Sequence, residues 1–471
     1  MTTSPSLQPS QERLLSLDAF RGFTIACMIL VNFPGTWGHV YGPLLHVDWN
    51  GLTPTDLIFP SFIFMVGVSI AFAYRKRLEA GHSRAKMRNK VIVRSLKIYL
   101  VGMLLYMLGP ILENTLKQTW GDFNFLTYFT EDLRYTGVLH RIALVFLVCG
   151  LFFLYTKPRT QVFFCTLFLV GYWFCMSYIP MPGQDVAQNA PVEEVAAVVE
   201  ANPDPDAEAV PAEGSDIWRK IDTLLRTPTV ELRPGDNLAT WVDGRIWSYE
   251  GEEGKVYYGL LPGRTWWGPW NHERNWEEWK ATEPNMQPWD PEGFLSTLPS
   301  FSSGFIGIFA GLLLLGPRSK ERKAIILFFS GALLMAGGYA WGTIHPINKS
   351  LWTSSYVLFS SGFACTVLAS FFYYMDILGR RRLLHIGVVF GCNAIAIYCL
   401  ADILSIFMYG NHFGFFGEDS GGLNHIVMDW LMLNVPGGTA QFASMAYALL
   451  FVFTNFIVAW ILYKCKIFIR L

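Results

Sequence analysis

Charge is what this sequence has least of. Asp, Glu, Lys and Arg make up 15% of its 471 residues, where a soluble domain carries roughly 25%. With 52% of the chain apolar, a disordered chain is excluded and a soluble enzyme is disfavoured. Neither sign dominates, since 36 Lys and Arg stand against 37 Asp and Glu, which removes any whole-chain attraction for nucleic acid. Cysteine is sparse and unpatterned. The eight residues fall in or beside apolar runs, and neither Cys-x-x-Cys nor His-x-x-x-His occurs, which argues against a disulfide framework and against a zinc site. A Gly-rich phosphate loop is also missing.

Long apolar runs are what the chain has in abundance. A helix rises about 1.5 Å per residue, so about 18 apolar residues suffice to cross a hydrocarbon layer. Ten runs reach that length, at approximately 17–33, 56–74, 95–112, 137–156, 161–180, 294–315, 324–344, 351–375, 383–409 and 438–463. The first holds Asp18 and Arg21 and lacks a small-residue cleavage site, so it reads as a retained helix rather than a signal peptide. Alternate connections collect 23 of the 36 basic residues, nine of them between Arg75 and Lys97. Short cytoplasmic loops are where Lys and Arg accumulate. The expected fold class is therefore all-α: a polytopic membrane helix bundle of about ten transmembrane helices, with both termini cytoplasmic and one large extracytoplasmic insert.

Three regions follow, residues 1–180, the insert 181–293 and a second helix group 294–471. Within the insert, Gln184–Ser215 is rich in Ala, Val, Pro and acid with no aromatic residue, the composition of a flexible tether. Ile217–Glu292 holds nine of the seventeen tryptophans. They read either as a small core with interfacial anchors or as a surface that stacks on sugar rings.

Ionisable groups in or beside spans are expensive and point to function. They gather at the outer side: Asn32, His46, Asp48 and Asp56 around the first connection, Arg134, His140 and Arg141 entering the fourth span, and His345, Asn348 and Lys349 between the seventh and eighth. Asn393 and Asp402 lie within the ninth. The loop 34–55 is rich in Gly and Pro yet apolar and aromatic, so it is expected to fold back onto the bundle. Asp56 suits a helix first turn as a cap and equally suits a site, and His46 reads either as an interfacial histidine or as a base.

Leu17-Asp-Ala-Phe-Arg-Gly22, Val31-Asn32, His46 with Trp49-Asn-Gly-Leu-Thr53, and Asp56-Leu-Ile-Phe-Pro60 resemble the heparan-α-glucosaminide N-acetyltransferase family. So do Arg134-Tyr-Thr-Gly-Val-Leu-His-Arg141, Asp290-Pro-Glu-Gly-Phe-Leu-Ser-Thr297, Pro346-Ile-Asn-Lys-Ser-Leu-Trp352 and Gly391-Cys-Asn393. The resemblance implies a transmembrane acetyltransferase that moves an acetyl group from cytosolic acetyl-CoA to the amine of an extracytoplasmic glucosamine-type sugar. It places the active histidine on His46 and its partner asparagine on Asn32, with Asp56 completing the candidate catalytic set. A bacterial inner (plasma) membrane protein, amino-sugar and lipid partners, an optional homodimer and no metal are the further expectations. Two features depart from the lysosomal members, a longer Asn32–His46 segment and the Trp-rich insert.

The chemistry agrees with the residue types. Attack by a glucosamine amine on a thioester requires a base near neutrality, which histidine provides. An amide such as Asn32 donates to a developing oxyanion. Direct transfer and an acetyl-histidine intermediate are both open. The CoA phosphates call for cations, for which Arg21, Arg134, Arg141 and Lys349 are the candidates, with Asn348 beside the last. The pantetheine arm would need a slot, expected beside the small residues of Gly67-Val-Ser69 and Gly362-Phe-Ala364. The alternatives are a proton-coupled secondary transporter of a sugar or small anion and a non-catalytic sugar-binding membrane protein.

Overall fold

A computed structural model of the chain describes residues 14–117, 124–129, 133–179, 232–233, 237–246, 249–250, 256–257, 290–382, 384–410, 422–435 and 439–469. The tether Gln184–Ser215 and the tryptophans of 266–289 lie outside the described residues.

Apolar helices account for the architecture. α1 (Leu15–Asn32), α2 (Ile58–Glu79), α3 (Arg84–Lys117), α4 (Val138–Tyr155), α5 (Pro158–Tyr178), α7 (Phe294–Leu315), α8 (Lys320–Trp341), α9 (Ser354–Phe372) and α13 (Ala440–Lys464) belong to the nine spans found among the described residues that are long and apolar enough to cross a membrane. α6 (Leu238–Ile246) comes from the insert, which also contributes a two-residue antiparallel ladder, Tyr249–Glu250 with Val256–Tyr257. α12 (Leu423–Asn434) is a short helix that the hydropathy of the sequence does not announce.

The expected span 383–409 is not one helix. α10 (His385–Gly391) and α11 (Ala394–Tyr409) meet at an angle of 79° across Cys392 and Asn393. A window average hides this break, because both halves are apolar. At the break the Cys392 and Asn393 amides still donate locally, to the Val388 and Phe390 carbonyls, and the Asn393 side chain ties down the chain end: Nδ2 donates to the Ile467 carbonyl at 3.0 Å, and Oδ1 accepts from the Ile469 amide at 2.8 Å. α3 also begins earlier than the apolar run at 95, because its basic first turns continue the helix from Arg84.

Close helix contact depends on glycine at two places. A Cβ on Gly67 would strike the Gly304 carbonyl oxygen, which lets α2 lie against α7. A Cβ on Gly22 would strike that of Gly387, which lets α1 lie against α10. Side chains of α1, α2, α4, α7 and α9 form the main buried core, with Phe64, Ile63, Val145, Phe305 and Tyr356 fully enclosed. The alternation of direction brings the basic connections to one end of the bundle and the loop 34–53, the 342–353 connection and the insert to the other.

Candidate active site

At the insert end the loop 34–53 does fold onto the bundle. Gly35 and Thr36 bond to Ser444 of α13, Asn424 of α12 donates to the Gly35 carbonyl, and Tyr409 of α11 donates to that of Pro34. Gly51 N donates to Ile347 O at 2.7 Å. Trp49 Nε1 donates to the Leu232 carbonyl of the insert at 2.7 Å. These ties fix a loop whose glycines and prolines prevent a regular helix.

His46 and Asp56 meet on this frame. The two residues are ten apart in sequence, and His46 Nδ1 lies 2.7 Å from Asp56 Oδ1. The fully buried Asp56 closes the short helical turn Pro54–Leu57 by reaching back to its start. Its Oδ2 accepts from Thr53 N at 3.0 Å, Thr53 Oγ1 at 3.0 Å and Val47 N at 3.2 Å. Asp56 is thus both the cap and the histidine's partner, one oxygen for each task. Tyr356 of α9 donates to the Asp56 carbonyl at 2.6 Å and holds the turn from below.

Lys349 completes the group. Its Nζ lies 2.8 Å from His46 Nδ1 and 3.4 Å from Asp56 Oδ1. The Asn348 side chain joins the two loops, with Oδ1 accepting from Leu351 N at 2.8 Å and Nδ2 donating to Trp49 O at 3.0 Å. Burial lowers the His46 pKa and the Lys349 ammonium lowers it further, against the opposing pull of Asp56 and Glu292. Burial likewise lowers that of Lys349, while Asp56 and Glu292 raise it. The ring is therefore neutral at neutral pH, the state a base requires. His345 is enclosed nearby, where burial pushes its pKa down to about 3 and both ring nitrogens lack a partner.

The remaining sequence candidates are dispersed. Asn32 ends α1, half-buried. No hydrogen bond joins it to His46 among the described residues. Arg134 is held by protein carboxylates, Nη2 lying 2.6 Å from both Asp290 and Glu292, with Nη1 on Tyr106 Oη at 3.2 Å. Burial opposes its charge, but Asp290, Tyr106 and Glu292 outweigh that and hold its pKa well above the ordinary value. Arg141 is enclosed over the Trp352 ring at 4.7 Å and donates to Ser296 Oγ at 2.6 Å, while its Nε and Nη1 have no partner. Glu292 did not stand out in the sequence, yet its charge reaches both His46 and Lys349. The usable signal was a pair of acids, Asp290 and Glu292, directly before an apolar run on the outer side.

At the basic end the bundle opens into a cavity of about 1100 Å³. Arg21, Lys76, Arg94, Lys320, Lys323 and Arg381 line it against only Asp18 and Asp376. Of the five expected cofactor ligands, Arg21 alone is on this wall, and its Nη2 donates to Ser69 Oγ at 2.7 Å. Ser69 lines the cavity as the slot expectation required, whereas Gly67 serves the α2–α7 contact and Gly362 the α8–α9 contact. Ala364 is fully buried. The lining runs along α2 from Lys76 to Phe62, a rise of about 21 Å, and ends about 9 Å of helix short of Asp56. It also reaches Ile142, one turn from the outer end of α4. Among the described residues no group of three His, Cys, Asp or Glu side chains is arranged as metal ligands.

A histidine–carboxylate pair lies toward one end of an apolar helix bundle and a polycation chamber opens at the other, in a chain whose helices make it a polytopic membrane protein. Residues 13–188 match the family model described as heparan-alpha-glucosaminide N-acetyltransferase, catalytic. The chain is 27% identical to the mouse (Mus musculus) heparan-alpha-glucosaminide N-acetyltransferase over 463 residues, covering 93% of this chain and 60% of the relative. It is 27% identical to the human (Homo sapiens) protein of that name over 405 residues, covering 82% of this chain and 52% of the relative. The chain thus spans little more than half the length of these curated relatives. The resemblance carried by the motifs is borne out, and the matched stretch contains Arg21, Asn32, His46, Asp56, Arg134 and Arg141.

Proposed function

We propose that the protein is a transmembrane acetyltransferase that takes acetyl-CoA from the cytoplasm and acetylates the amine of a glucosamine-type sugar on the other side. The observation that carries this reading is the cavity, which starts among six cations and runs about 21 Å along α2 toward the His46–Asp56 pair. Its inner charge suits the phosphates of CoA, since Arg and Lys bind phosphate by charge-assisted hydrogen bonds. Its outer half, lined by Phe62, Met65, Ile142 and Phe146, suits a thin, partly apolar arm. Acetyl-CoA supplies an activated acyl group as a thioester.

The protein's own residues do the rest. His46 accepts the proton that the acceptor amine loses as its nitrogen forms the bond to the acyl carbon. Asp56 receives the Nδ1 proton in a hydrogen bond and stabilises the imidazolium that forms. The C–S bond breaks, and the proton held by His46 neutralises the departing thiolate. Arg21 and the other cavity cations hold the nucleotide end, so the donor is oriented before the chemistry begins. Direct contact of Asn32, Arg134, Arg141 and Asn348 with substrate, beyond the outer end of this cavity, belongs to the same proposal.

Protein purified in detergent, supplied with radiolabelled acetyl-CoA and a panel of amino sugars, tests the reading. Label transferred to an amine supports it. Movement of unmodified sugar into proteoliposomes with no label transfer would replace it with a carrier.

A further inference from the structure

Lys349 stands among the residues expected to bind CoA phosphate, but its surroundings give it a different task. Its Nζ lies 2.8 Å from Nδ1 and 3.3 Å from Nε2 of His46. Proximity to both ring nitrogens at once puts the ammonium over the imidazole face rather than along either in-plane lone pair. Nδ1 has its partner in Asp56 Oδ1 at 2.7 Å, and that same oxygen lies 3.4 Å from Nζ. Lys349 takes no part in lining the polycation cavity.

The segment that presents Lys349 is built for rigidity. Trp352 N donates to Lys349 O at 3.0 Å, and Thr353 N donates to Asn348 O at 3.1 Å. Trp352 adopts φ +52°, a left-handed conformation that a bulky residue occupies only under constraint. The constraint is visible in its packing, with Trp352 enclosed edge-on between Phe59 and Tyr356. Asn348 ties the same turn to Trp49 of the His46 loop. Local strain is thus spent on fixing the ammonium against the ring.

We propose that Lys349 is a positioning residue: its ammonium, laid across the His46 ring and tied to Asp56, keeps the imidazole neutral with its proton on Nδ1 and leaves Nε2 as the basic nitrogen. This rests on His46 being the base of the proposed transfer. Among the described residues, the charged groups that act on His46 come from three elements: Asp56 at the start of α2, Glu292 ahead of α7 and Lys349 in the α8–α9 connection. Two carboxylates with no counterweight would favour the imidazolium, which cannot accept a proton. Lys349 supplies the counterweight, because a cation is repelled by an imidazolium and attracted by the π face of a neutral ring. The same ammonium relieves Asp56 of its negative excess while the base is idle.

The test reads the protonation of His46 directly. The full-length protein in detergent is treated with diethyl pyrocarbonate over a pH series, and carbethoxylation of the His46 peptide is followed by mass spectrometry. Wild type should give a midpoint below the ordinary histidine value of about 6.5. Lys349→Met should raise the midpoint by about 1–3 units, Lys349→Arg should stay near wild type, and Asp56→Asn should move it the other way. The acid limb of kcat at saturating acceptor should shift with the Lys349→Met midpoint. Should Lys349→Met not fold, Lys349→Gln carries the same expectation. An unmoved midpoint in the neutral variants overturns the proposal. So does a KM for acetyl-CoA that rises tenfold with no change in midpoint, which would make Lys349 a phosphate ligand. Since carbethoxylation needs no acetyl transfer, a shifted midpoint in a protein that transfers no acetyl group would sink the proposed function and leave the placement of Lys349 standing.

Discussion

Asp56 divides its two oxygens between fold and chemistry, and the division makes its loss readable. Asp56→Asn keeps the shape but can turn an amide toward His46, which disturbs the tautomer. A drop in kcat of about 10²-fold or more is expected, as for other carboxylates that orient a catalytic histidine. His46→Ala should cost at least about 10²-fold in kcat, the usual worth of a general base, with the protein still inserted and monodisperse. Retention of a tenth or more of wild-type turnover would return His46 to an interfacial role. The arginines separate by a different pair of measurements. Arg134→Met leaves Asp290 and Glu292 buried with their shared cation removed, so unfolding should become easier by about 3–5 kcal/mol, read as a large fall in Tm. Arg21→Met removes a cation from an open cavity and should raise KM for acetyl-CoA about 10–100-fold, the worth of a charged hydrogen bond, with little change in Tm. His46 and Asp56 were legible in the sequence because polar residues next to apolar runs are conspicuous. Glu292 was not, because what makes it important is the Arg134 guanidinium more than 150 positions away, and hydropathy carries no long-range pairing.

At the scale of elements the apolar runs located the spans well, since nothing but a helix satisfies its own backbone in lipid. The failure at 383–409 has the same root. A window of apolar residues reports the solvent and is blind to a 79° change of direction between two apolar halves, α10 and α11, at whose junction the Asn393 side chain reaches out to the chain end. Gly391-Cys-Asn393 contains no proline to announce a kink. The break has a use in the fold: Gly391, Cys392, Ala394 and Ile395 all face the polycation cavity, as does Ile469 of the chain end that Asn393 secures. Asn393→Leu deletes both bonds to that segment and should loosen the cavity rim. The expected outcome is faster amide exchange of residues 465–469 with a several-fold higher KM for acetyl-CoA. Unchanged exchange there would mean that packing of Ile467 and Ile469 alone retains the segment.

For the whole molecule, sidedness is the property on which the proposed reaction depends. The basic connections flank one end of the bundle, and the same end carries Lys76, Lys320, Lys323 and Arg381 around the cavity mouth. Charge that fixes orientation during insertion is therefore also charge that would collect a polyanionic donor. The opposite end presents His46 on a loop held to the insert through Trp49 and Leu232, so an acceptor arriving there need never cross the bilayer. Between them the bundle core is apolar, and the Gly67 contact seals α2 against α7. The donor's reactive end must then pass along the lined face of α2, where Ser69 stands about 10 Å of helix from Lys76. In sealed vesicles of defined orientation, acetyl-CoA confined to the Lys76 side should support acetylation of an amino sugar confined to the other side, and the reversed arrangement should give none. Ser69→Cys should remain active until a bulky maleimide is attached, because the label would stand in the passage, whereas the same label at Ala212 of the insert should leave donor use intact. Activity only when both substrates share one face would refute transfer through the bundle, and an active, fully labelled Ser69→Cys protein would move the passage away from α2.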